Sequence, residues 1–167
     1  MKFDALPHPN NLHLDAAEGW LGLGSGREAE AELARIDPAF REHPHVLEVR
    51  YQIAAQAGDW ERAVELAQTV ARALPDNSWG PFHLAYSLHE LKRTQEAYDT
   101  LRAVAERFPD KQLIPYNLAC YTCQLGRLTE AMEWLGKAAE QAGDLDIRSM
   151  AMEDPDLKPL WAKLRKL

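Results

Sequence analysis

Cys120 and Cys123, three residues apart, are the side chains of this sequence best suited to chemistry. On a helix that spacing puts both sulfurs on one face, near the level of His89 on an earlier helix. Two thiolates and an imidazole can begin a zinc site, but a closed site takes four ligands and no second C-x-x-C is present. The same pair could do redox work. The plainer reading is two small, buried side chains. Gly22-Leu-Gly-Ser-Gly26 is glycine-rich like a phosphate loop, yet it lacks a preceding strand and the G-x-G-x-x-G spacing, so it reads as an inter-helix turn. No serine sits in a nucleophile elbow, and no carboxylate pair has an acid–base setting. The expectation is a protein that is not an enzyme and takes no cofactor. Cys120, Cys123 and His89 are the candidate ligands should a metal be held.

The elements that position these residues follow from a period. Ala63, Ala97 and Ala131 stand 34 residues apart, as do Leu84 and Leu118, Ala85 and Ala119, and Leu101 and Leu135. One more step back from Ala63 reaches Ala29. A fixed period of this size signals stacked helical hairpins. The periodic alanines are expected where two helices approach closely. Four units are predicted, over residues 10–43, 44–77, 78–111 and 112–145, after an extension over residues 1–9 in which Phe3 and Leu6 are expected to lie over the first hairpin. Residues 146–167, interrupted by Pro155 and Pro159, read as a C-terminal cap whose apolar side is Met150, Leu157, Leu160, Trp161 and Leu164.

Within the first unit, Asn10 or Asn11 is expected to cap a helix reaching about Leu23, with Leu12, Ala16, Trp20 and Leu23 as its apolar face. Asp37-Pro38 stops the second helix near Ile36. In the second unit Leu47, Tyr51 and Ala54 form the buried stripe. Gly58 can take positive φ at the turn and Asp59 can cap the helix after it. Lys92-Arg93-Thr94 stands where the third unit would have a glycine turn.

Composition narrows the function. The formal charge of −7 and a pI of about 5.4 oppose a role built on phosphate contacts, so nucleic acid is not expected. No apolar run is long enough to span a bilayer. Two cysteines do not make a secreted disulfide scaffold, and the start of the chain has no signal-peptide character, so a cytoplasmic location is expected.

Small residues at positions eight and twenty of the period, a turn glycine, a large apolar residue at twenty-four and a proline at thirty-two resemble the tetratricopeptide repeat. The likeness covers roughly residues 10–145. It departs at Arg41 and Gly143, where proline is usual, and at Lys92. Tyr116-Asn-Leu-Ala-Cys120, followed by Asp154-Pro-Asp-Leu157, is similar to the C-terminal end of many bacterial members. The resemblance implies an all-α solenoid, non-catalytic, with first helices lining a concave groove for a peptide or partner helix. The register of the family implies a lining of Asn11, Leu14, Asp15, Glu18 and Leu21, then His45, Glu48, Val49, Gln52 and Gln56. Trp79, Phe82, His83, Tyr86 and His89 follow, then Leu113, Tyr116, Asn117, Cys120, Cys123 and Gln124. The lining grades from acidic to aromatic. An acidic wall repels a carboxylate, so the Lys/Arg/Asn clamp of one subclass is not expected.

Half-exposed aromatic groups suit a binding anchor. Alternatively, Trp79, Phe82 and Tyr116 fill the inter-repeat core or receive the C-terminal cap. Three function classes result. The first is a module that binds a protein or peptide in the groove. The second is a self-assembling structural protein, and the third a metal or redox protein using the C-x-x-C pair.

Overall fold

A computed structural model describes residues 5–142 and 146–166; Phe3 and Gly143 lie outside the described residues. Every regular element among the described residues is helical. The hairpin helices are α1 (Asn10–Gly22), α2 (Gly26–Leu33), α3 (Pro44–Gln56), α4 (Trp60–Ala73), α5 (Trp79–Glu90), α6 (Thr94–Arg102), α7 (Leu113–Gln124) and α8 (Leu128–Gln141). The short helices α9 (Ile147–Glu153) and α10 (Trp161–Leu164) flank a 3-10 segment, Pro155–Leu160. The fold is all-α, of the solenoid class. No helix among the described residues is long and apolar enough to cross a membrane.

The chain reverses after each odd-numbered helix from α1 to α7 by one device. Gly24, Gly58, Lys92 and Gly126, each 34 residues from the next, have φ of 74°, 71°, 62° and 77°. The residue after each donates its N–H back across the turn: Ser25 to Trp20, Asp59 to Ala54, Arg93 to Leu88 and Arg127 to Thr122, at 2.8–2.9 Å. These are Schellman closures, which satisfy carbonyls the helix end would leave open. Asp59 also begins the next helix, its carboxylate accepting from the Arg62 N–H at 3.1 Å. Ser25, Arg93 and Arg127 hold the same place without a side-chain cap.

The chain divides into two compact units, Met1–His83 and Leu84–Leu167, with the boundary inside α5. In the first, Leu6, Leu14, Ala17, Leu21, Ala29, Leu33, Ile36, Val46 and Val49 form one core cluster, with Phe40 and Ile53 packed against it. The buried side of α1 is therefore Leu14, Ala17 and Leu21, while Leu12, Trp20 and Leu23 are 53%, 40% and 76% exposed. This corrects the expected stripe. Both stripes have helical spacing, and packing selects the one that carries Ala17, which is wholly buried and lets a neighbour approach closely. Leu14, Leu21 and Val49 are core rather than groove lining for the same reason.

Asn10 does not cap α1. It is buried, and its Oδ1 accepts the Asp37 N–H at 2.8 Å, tying the start of the first hairpin to its end. A contact without a sequence signal is Gly80, where an added Cβ would lie 2.6 Å from the Ala71 backbone. Only a residue without a side chain fits between α4 and α5 there.

In the second unit Leu101, Leu118, Ala119, Leu157 and Leu160 are at most 2% exposed. Tyr98 of α6 donates a 2.6 Å hydrogen bond to Glu130 of α8, and Arg127 donates one of the same length to Gln95. The 3-10 segment packs on α7 and α8.

Lys92 carries a side chain where its three counterparts carry none. A left-handed residue with a Cβ costs about 1–2 kcal/mol, partly offset because glycine loses more chain entropy on folding. Lys92→Gly should therefore raise the urea denaturation free energy by about 0.5–1 kcal/mol. An unchanged or lower value would contradict the role assigned to this turn.

Candidate functional site

In the first unit, α1, α3 and the start of α5 bring acidic and aromatic groups together. Glu18 Oε1 lies 2.8 Å from His45 Nε2. Burial holds the Glu48 carboxyl above its ordinary value; nearby His45 and a hydrogen bond donated by Trp79 pull it back, and Glu18 pushes it up. Beside it is a cluster of rings. The His83 centroid is 4.3 Å from Trp79, 4.7 Å from Tyr51 and 5.2 Å from Phe82, and Tyr51 meets Trp79 edge-on at 5.1 Å. The Tyr51 hydroxyl donates to the His83 carbonyl at 3.4 Å. Trp79, Phe82 and His83 are half-buried, and Gln52 is exposed. Burial brings the His83 imidazole down to about 4, so the ring is neutral at physiological pH and behaves as a fourth aromatic surface. The cluster thus presents apolar rings next to carboxylates, one of them partly removed from water.

The second unit is arranged otherwise. His89 and Tyr116 are 6% and 7% exposed, and Cys120 and Cys123 are 4% and 3%. His89 and Tyr116 do not line an open face; the C-terminal segment covers them. The Tyr116 hydroxyl donates to Asp154 Oδ2 at 2.9 Å and Cys120 Sγ donates to the same oxygen at 3.4 Å. His89 Nε2 is 2.9 Å from Asp156 Oδ2, and its Nδ1 is 3.0 Å from Thr94 Oγ1. Gln124 donates to the Asp156 carbonyl at 2.7 Å. Burial, reinforced by the Asp154 carboxylate, pushes the Cys120 thiol and the Tyr116 hydroxyl far up; burial also raises Cys123. Tyr86 is 37% exposed, while Asn117 turns its amide onto the Leu113 carbonyl of its own helix at 2.8 Å.

Proton affinity that high is the opposite of what a nucleophilic or metal-binding thiol needs. Among the described residues, no three His, Cys, Asp or Glu side chains are grouped to hold a metal ion. The residues that sequence reasoning left out of the site are Asp154 and Asp156. The two aspartates belong to the Asp-Pro-Asp-Leu run, whose likeness to family members was visible but whose contacts lie 32–38 residues away along α7.

Residues 54–114 match the family model described as tetratricopeptide repeat. That stretch, from α3 to the start of α7, is similar to tetratricopeptide repeats. MamA (41-end) from Desulfovibrio magneticus RS-1 has the same fold, with a TM-score of 0.74 at 21% identity over 98% of this chain and 97% of that one. MamA of MSR-1 superposes with a TM-score of 0.68 at 24% identity, covering 86% and 81%. A chain of nearly identical TPR-like repeats from Podosopora anserina gives 0.65 at 21%, covering 96% and 88%. No curated protein matches the sequence. Tetratricopeptide repeats are in general non-catalytic units of protein–protein interaction, and this coarse function is what the match carries.

Two measurements check this geometry. The folded chain binds the His83 proton less well than the unfolded chain, so the unfolded form is favoured as pH falls. The stability due to neutral His83 is intact above 6.5, declines through the window from 6.5 to about 4, and is gone below it. Wild type should lose urea stability relative to His83→Gln across that window, and parallel pH profiles would contradict the buried neutral ring. The thiols should resist a chromogenic disulfide reagent at neutral pH and react once urea unfolds the chain. Labelling of either within seconds in native buffer would overturn their assignment as buried thiols.

Proposed function

We propose that the chain is a non-catalytic interaction module whose first unit binds a peptide or partner helix carrying an apolar anchor and a basic flank. The observation that carries this reading is Glu48: half-buried, held by Trp79, and raised by burial beside the Glu18–His45 pair. A carboxylate in that condition gains most when a cation arrives, because the cation restores the solvation that burial removed. Trp79 and Phe82 supply half-buried rings for the anchor, and Trp79 can also meet a cation through its ring face. Hot spots are few and aromatic, so the rings would carry most of the affinity. The acids would speed encounter and fix orientation, an effect that salt weakens. Partners are protein or peptide rather than nucleic acid, and the proposed location is the cytoplasm, in keeping with a net acidic chain and two free cysteines.

A second reading, self-assembly, is favoured by one observation. Leu12 and Trp20 of α1, with Leu23 just after it, form an exposed apolar stripe, and a second copy could cover it. Light scattering separates the two: a concentration-dependent dimer abolished by Trp20→Glu favours assembly.

Selection of peptides from a displayed random library on the full chain tests the main reading. The enriched sequences should pair an aromatic or large aliphatic residue with Lys or Arg nearby. Phe82→Ala should weaken a selected peptide by at least about 1 kcal/mol, and Glu48→Gln should slow its association at low salt. Enrichment without basic residues, or unchanged affinity in both folded variants, would move the site off this face.

A further inference from the structure

The C-terminal segment does more than cover an apolar surface. A cap needs only its apolar side, and Leu157, Leu160 and Leu164 supply that, being at most 5% exposed. The segment also turns two carboxylates onto α5 and α7. The receiving face is a set of donors. Tyr116, Cys120 and Gln124 repeat every fourth residue along α7, forming one stripe, and His89 stands opposite on α5. All four meet the segment: Tyr116 and Cys120 at Asp154 Oδ2, His89 at Asp156 Oδ2, and Gln124 at the Asp156 carbonyl.

The segment holds its own shape. Asp154 Oδ1 accepts the Asp156 N–H at 2.9 Å, Pro155 fixes the backbone between them, and the Trp161 indole donates to the Ala151 carbonyl at 2.9 Å. A preshaped acidic turn set into a converging row of donors is the geometry of a ligand in a receptor.

We propose that the α5–α7 face of the second unit is a binding site for an Asp-x-Asp turn followed by leucine, filled here in cis by Asp154–Leu157, and that an acidic peptide of this pattern can take its place. The site is separate from the basic-peptide reading of the first unit and stands or falls without it. The ligand class is opposite in charge: carboxylates set by hydroxyl, imidazole and amide donors, with one apolar side chain buried behind them.

The test uses the full chain and a fluorescent synthetic peptide of residues 151–164. In Asp154→Asn/Asp156→Asn protein the cis ligand is weakened, so the peptide should bind at least about tenfold more tightly than to wild type, by anisotropy. A control peptide with both aspartates changed to asparagine should lose about that factor on the variant. A folded variant that binds neither peptide, or both equally, overturns the proposal. Wild-type mass in the same titration checks the occupant: a monomer that binds the peptide supports a separate acidic partner, and a dimer dissolved by the peptide would mean that a second copy supplies the turn and would contradict the cis ligand. Should the variant not fold, hydrogen exchange on wild type decides. The amides of Asp156, Leu157, Lys158 and Leu160 should exchange through a smaller opening than those of α7 and α8, and exchange only with the whole unit contradicts a replaceable ligand.

Discussion

A helix that must turn back within a few residues needs one residue with positive φ and a partner helix that can come close. Here those two demands are met at fixed points of a 34-residue period. Gly24, Gly58, Lys92 and Gly126 supply the left-handed residue. Ala29, Ala63, Ala97 and Ala131, each with no exposed surface, supply the near approach. Because the turn and the contact recur together, every hairpin returns in the same register. The side chains left over on α1, α3, α5 and α7 then fall at regular places and become available for other work. Losing either demand would misplace the whole hairpin rather than one contact.

The two units use acids in contrasting ways. In the first, Glu48 is an acid partly taken out of water with an indole and an imidazole at hand, and in the proposed reading it receives positive charge. In the second, Asp154 and Asp156 are acids presented to a donor row, and in the proposal they are what is received. The Cys-x-x-Cys pair belongs to this second arrangement. Cys120 is one of the donors, and its thiol is stabilised in the protonated state by the same burial and carboxylate that make the contact tight. Helical spacing that would suit a metal also suits a row of hydrogen-bond donors, and the neighbours decide between them.

The period made the architecture legible. Alanines, glycines and prolines repeat because backbone geometry demands them, and that demand is local. Lys92 shows the force of the period, since it adopts the left-handed conformation without the residue that favours it. The side of α1 that is buried was not legible, because Leu12, Trp20 and Leu23 and Leu14, Ala17 and Leu21 are both helical stripes and only packing chooses. The site was legible in its residue types and only partly in its state. Glu18, Glu48, Trp79, Phe82 and His83 do gather in one unit. Tyr116 of α7 and His89 of α5 are buried by Asp154 and Asp156, 38 and 67 residues further along the chain, and no periodicity reports a contact made by the aperiodic end of the chain.

Shift mapping tests the central claim most directly, that the first unit holds the peptide-binding face. Full-length protein labelled with nitrogen-15 would be titrated with a library-selected basic peptide while the amide and indole resonances are followed. The account predicts shifts concentrated at Glu18, His45, Glu48, Trp79 and Phe82, with α7 and the Asp154–Leu157 turn unmoved. Shifts centred on α7, or on the outer side of α1 around Leu12 and Leu23, would contradict it.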